Sequence, residues 1–102
     1  MNKKSLIKYY HDDEHGLMHY VVFEGEVVVL SELESKKVDY IEKVGKLNVT
    51  FDITSDKFEV IDVSIIKEQE YVGKVYNYML NTNNAYFKDG YESLCVIKFK
   101  KN

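Results

Sequence analysis

Gly25-Glu-Val-Val-Val-Leu-Ser31-Glu-Leu-Glu-Ser35-Lys-Lys37-Val38 is the stretch whose reading decides the fold. Its first half, Glu26 to Leu30, returns as the second arm of a hairpin, because Glu24-Gly25 is a tight turn and Leu17 to Phe23 forms the outgoing arm. In the outgoing arm Leu17, His19, Val21 and Phe23 share one face while Met18, Tyr20 and Val22 share the other. Both arms are apolar on both faces, which predicts strands sandwiched between layers. The second half opens a helix: from Glu32 to Val44, Leu33, Val38, Ile41 and Val44 recur near helical spacing, and Lys36, Asp39, Glu42 and Lys43 take the wet side. Gly45 suits the left-handed residue that ends such a helix.

The junction between the halves has two readings. Ser31-x-x-Glu34 is a capping box, which predicts Ser31 as the helix cap. The same junction offers hydroxyls at Ser31 and Ser35 and ammonium groups at Lys36 and Lys37. Unpaired N–H groups and the helix dipole favour an anion there, so a phosphate cradle is the second reading. Glu32 and Glu34 lie in the same turn and oppose an anion. The residues alone leave both readings open.

Outward from this junction the pattern is mostly β. Leu6 to His11 mixes β-formers with polar residues, and Asp12 to Gly16 is a turn. After Gly45, Leu47, Val49, Phe51 and Ile53 alternate with Asn48, Thr50, Asp52 and Thr54, the signature of a strand with one buried face. Thr54 to Lys57 turns the chain into an antiparallel strand from Phe58 to Ile66. Tyr71, Val72, Val75, Tyr78 and Met79 predict a second helix over Glu68 to Leu80, ended by Asn81 to Asn84. A last strand runs from Ser93 to Phe99. Six strands in hairpins, with a helix inserted between the third and fourth, predict a mostly β or α+β antiparallel barrel with two helices, in one domain over 1–102.

Composition narrows the function classes. An apolar fraction of 45% with 14% aromatic residues excludes a disordered chain. Net charge is −3, and apart from the Lys98-x-Lys100-Lys101 segment there is no basic stripe, which argues against a nucleic-acid partner. One cysteine, Cys95, rules out an internal disulfide and fits a reducing compartment. No apolar run reaches membrane-spanning length, and Met1 to Lys8 lacks a signal-peptide core. A cytoplasmic protein without a membrane partner is expected.

Other constellations carry less chemistry. His11, His15 and His19 are four apart, but the turn and strand around them scatter the side chains, so no metal site is expected. Asp12, Asp13 and Glu14 read as a wet hairpin tip without the spacing of a calcium loop. Cys95 sits among Leu94, Val96 and Ile97 and reads as a buried, inert thiol. Tyr71, Tyr76, Tyr78 and Tyr86, with Phe87, are able to stack on a planar ring or to fill a core or subunit interface.

Two segments resemble the FMN-binding split-barrel family, the pyridoxamine 5′-phosphate oxidase-like proteins and especially the small general stress proteins among them. One is Gly25 to Val38, similar to that family's strand, hydroxyl residue and Ser-x-Lys-Val at the helix start. The other is Ala85-Tyr-Phe87-Lys-Asp-Gly90 with the strand from Leu94 to Phe99, similar to its Tyr/Trp-Phe-x-x-Gly segment and terminal strand. The resemblance implies a split barrel that binds FMN at a two-fold homodimer interface, with phosphate held by Ser31, Ser35 and Lys37. It implies that the strand from His19 through Tyr20 and Val21 to Val22 passes the flavin ring, although Tyr20-Val21-Val22 replaces the family's usual Arg-Pro pair. A flavin-dependent oxidoreductase acting on a small molecule follows, and a cofactor-free relative serving as a binding or interaction module is the alternative. No general acid or base stands out.

Overall fold

The computed structural model describes residues 6–82, 87 and 89–100. Among these residues there are six strands: β1 Leu6–His11, β2 Glu14–Phe23, β3 Glu26–Glu32, β4 Lys46–Thr50, β5 Glu59–Ile66 and β6 Leu94–Phe99. Helix α1, Lys36–Val44, follows β3, and α2, Gln69–Asn81, follows β5. The strands close into an antiparallel barrel in the order β1-β2-β3-β6-β5-β4, with β4 returning to β1. The expected six-stranded barrel with two helices is therefore the observed one.

Alternation along the strands sorts side chains into two cores. Ile7, Met18, Val27, Val29, Leu47, Val49, Val63, Ile97 and Phe99 fill the barrel. Helix α1 contributes Ile41 to this interior. On the outer face, Val21, Val28, Leu30, Leu94 and Val96 meet Val72, Val75, Tyr76 and Met79 of α2. Strand β3 is thus sandwiched as its composition predicts. Strand β2 is not sandwiched along its whole length: on the face that α2 covers at Val21, Leu17 is left 54% exposed, and on the opposite face, shared with Met18 and Tyr20, Val22 is 51% exposed.

Four local expectations change. Helix α1 begins at Lys36 rather than Glu32, since Ser31 and Glu32 continue the β3 ladder opposite Cys95 and Leu94. The cap is Ser35, whose side-chain oxygen accepts a hydrogen bond from Val38 N–H, so the Ser31-x-x-Glu34 box does not form. The β1–β2 turn is only Asp12-Asp13, both at positive φ as a two-residue hairpin turn demands, which leaves His15 and Gly16 inside β2. Strand β4 stops at Thr50, and Phe51 and Ile53 are exposed. There the Thr50 hydroxyl accepts from Asp52 N–H, and the Asp52 carboxylate accepts from Thr54 N–H, so side chains divert the backbone from the ladder.

Along α2 the buried face is Val72, Gly73, Val75, Tyr76 and Met79, and Tyr78 turns outward. Gly45 ends α1 at φ 74°, donating its N–H to Ile41 O at 2.7 Å, as the sequence predicts. Asn83, Asn84, Ala85, Tyr86, Lys88, Lys101 and the 1–5 stretch, which enter the sequence expectations, lie outside the described residues. No described helix is long and apolar enough to cross a membrane.

Candidate functional site

Strand β2 serves two neighbours in succession. Its first half pairs with β1 through His19, opposite Leu6, and its second half pairs with β3 from Tyr20, opposite Val29. Had the β2–β3 ladder continued, His19 would face Leu30, Met18 would face Ser31 and Leu17 would face Glu32. Instead the strands part, and those six residues line a cleft of about 390 Å³. Leu6, Ser35, Lys37, Met79 and Phe87 complete it. Its volume falls within the range usual for small-molecule pockets.

The polar groups gather at one end. Ser31 is 2% exposed, and its hydroxyl lies 3.2 Å from that of Ser35. Because the Ser35 oxygen already accepts from Val38 N–H, its own O–H proton is directed elsewhere. Of the first amides of α1, Val38 N–H is taken by the Ser35 hydroxyl, while those of Lys36 and Lys37 have no partner within the helix, at the end where the helix dipole is positive.

Lys37 adds the charge. Its ammonium lies 5.1 Å from the ring centre of Tyr9, and burial lowers its pKa, with Cys95 and Glu32 acting in the opposite direction. Among the described residues no carboxylate forms an ion pair with it. Glu32 also lines the cleft, so the site carries one cationic and one anionic side chain. Leu6, Leu17, Leu30, Met18, Met79 and Phe87 supply apolar walls suited to a planar ring.

Of the residues singled out from sequence, Ser31, Ser35, Lys37 and His19 come together. Lys36 does not: it is exposed on the other side of α1 and pairs with Glu14 at 3.8 Å. Tyr20 packs against the barrel interior and meets the Phe51 ring edge-on at 5.2 Å, while Val21 lies beneath α2. Neither lines the cleft. His11 faces inward between Tyr9 and Tyr40, and no group of three metal-ligating side chains converges among the described residues. Cys95 is fully buried opposite Ser31, and burial raises its pKa to about 11.

Tyr71 and Tyr78 pack edge-on against Phe23 rather than over the cleft, and Tyr76 accepts a hydrogen bond from Gly90 N–H at 2.8 Å. Only Phe87 of that aromatic group, among the described residues, reaches the site. Sequence reading missed Met18, Leu30 and Met79 as lining residues. Extending the hairpin register outward from Glu24-Gly25 pairs Met18 with Ser31, but the point where the ladder opens has no local signal.

No protein-family model matches the sequence, and no curated protein matches it. Solved structures do resemble it. The general stress protein 26 of Bacillus anthracis str. Sterne superposes with a TM-score of 0.63 at 15% identity, over 96% of this chain and 80% of that one. A Listeria innocua protein provisionally named a pyridoxamine 5′-phosphate oxidase gives 0.62 at 12% identity, over 93% and 80%. A NimC/NimA family protein of Clostridium acetobutylicum gives 0.60 at 15% identity, over 92% and 70%. The chain shares their fold, the split barrel that the sequence resemblance implied.

Proposed function

We propose that the cleft binds FMN or a related flavin by its phosphate, and that the chain is a homodimeric, flavin-dependent oxidoreductase acting on a small molecule. The observation that carries this reading is the convergence of Ser31, Ser35 and Lys37 where β2 and β3 separate. Two hydroxyls, an ammonium and the first amides of α1 form a donor set suited to a phosphate monoester. The apolar walls suit the ring system. A bound flavin supplies the electron or hydride transfer. The chain's own residues anchor the phosphate, exclude water along the Leu30 and Met79 wall and orient the ring. The likeness to a pyridoxamine 5′-phosphate oxidase and a general stress protein supports the same reading. The outer face of β2 beside the cleft leaves Leu17 uncovered, which suits a second copy closing over the site.

Adding FMN to the purified protein and separating free flavin tests the proposal. Retained flavin absorbance with altered flavin fluorescence is expected. Protein that stays colourless after this treatment contradicts it and leaves the cofactor-free binding module as the better reading.

A further inference from the structure

Beneath the cleft, α1 grips β1 through two parallel contacts. Lys37 and Tyr40 lie one turn apart on α1, and Tyr9 and His11 lie two residues apart on β1, so both pairs meet in register. Lys37 sits over the Tyr9 ring, and Tyr40 stacks on His11 with centroids 4.7 Å apart. Tyr9 and His11 stack in turn at 5.9 Å, joining the two contacts into one continuous arrangement.

The Tyr9 ring is itself fixed from below. Tyr9 is the direct β-ladder partner of Gly16, and a Cβ placed on Gly16 would lie 2.7 Å from the Tyr9 hydroxyl and 2.8 Å from Cε2. Only a residue without a side chain lets the ring rest on the β2 backbone there. A flexible lysine stem otherwise samples many rotamers, and holding its head group costs entropy. A ring face below the ammonium restricts that search without neutralising the charge, as a carboxylate would.

We infer that Tyr9, seated on Gly16, is a positioning residue that aims the Lys37 ammonium into the cleft. The inference rests on the phosphate-anchoring role of Lys37 proposed above and adds a residue that touches no ligand. It assigns a purpose to Gly16, whose position in β2 otherwise weakens the strand.

FMN affinity and NMR of Lys37 test it, the NMR on ligand-free protein with isotopically labelled lysine. In the wild type, the Lys37 side-chain protons should be shifted upfield by the ring current of Tyr9. Tyr9→Phe should keep the shift, and Tyr9→Leu should abolish it. Tyr9→Leu should weaken FMN binding about three- to tenfold, but less than about twofold in a Lys37→Ala background. Gly16→Ala crowds the ring while leaving the tyrosine in place, and should lower both the shift and the affinity if Tyr9→Leu fails to fold. Equal losses with Lys37 present and in the Lys37→Ala background would make Tyr9 merely structural and overturn the inference. If the wild type binds no FMN, the functional proposal fails by itself. The NMR shift then still decides: its absence removes the Tyr9 contact, and its presence keeps Tyr9 as the residue that holds Lys37.

Discussion

The hydroxyls of Ser31 and Ser35 lie 3.2 Å apart across the turn from β3 into α1, and only Ser35 caps the helix. The strand keeps Ser31 because its backbone is already paired beside Cys95. The serine that ends the strand and the serine that starts the helix are thereby brought to one point.

Removing the cap should therefore act at Ser35 and not within the capping-box sequence. Ser35→Ala is expected to cost about 1 kcal/mol of stability through loss of the N-cap bond. Glu34→Ala, on the turn ahead of the helix, should change stability by less than about 0.5 kcal/mol. Urea unfolding of both variants checks this, and a larger loss at Glu34 than at Ser35 would restore the capping box.

Much of the fold was legible because its signals are local. Gly45 had to end a helix, Leu47 and Val49 had to face inward, and Glu24-Gly25 had to close a hairpin. What was not legible depended on competition between distant segments. Strand β6 decides that Ser31 and Glu32 extend β3, and side-chain bonds around Asp52 decide that Phe51 and Ile53 leave the sheet. At the site, Ser31, Ser35 and Lys37 were readable as hydroxyls and a charge near a helix start. Lys36 and Lys37 were indistinguishable until the true start of α1 set which one faces the cleft.

Cys95 should behave as a protected thiol. Burial raises its pKa to about 11 from an ordinary value of 9.0, so between these values the folded protein retains a proton that the unfolded chain loses. The unfolded state then binds fewer protons, and stability falls as pH rises through this window. Between about pH 8 and pH 10 the urea midpoint of the wild type should drop further than that of Cys95→Ala. A thiol reagent at about pH 8 should react only as the protein unfolds, and rapid labelling of folded protein would contradict the burial.

His11 is 4% exposed, and among the described residues its Nδ1 has no hydrogen-bond partner, the Asp12 carboxylate lying 3.8 Å away. A buried polar atom left unsatisfied costs about 1–3 kcal/mol. His11→Phe keeps the stack with Tyr9 and Tyr40 while removing that atom, so the thermal midpoint should rise. A lower midpoint would show that the imidazole contributes a polar contact worth more than its burial cost.

The central claim is that the opening between β2 and β3 holds a flavin by its phosphate, with Lys37 supplying the charge. Comparing FMN with riboflavin, which lacks the phosphate, in wild type and Lys37→Ala by flavin fluorescence titration tests it most directly. A charge-assisted hydrogen bond contributes about 1.5–3 kcal/mol, so FMN should bind the wild type more than about tenfold tighter than riboflavin. Lys37→Ala should remove most of that preference while leaving riboflavin affinity unchanged. Equal binding of the two flavins by the wild type, or an undiminished preference in Lys37→Ala, would contradict the account.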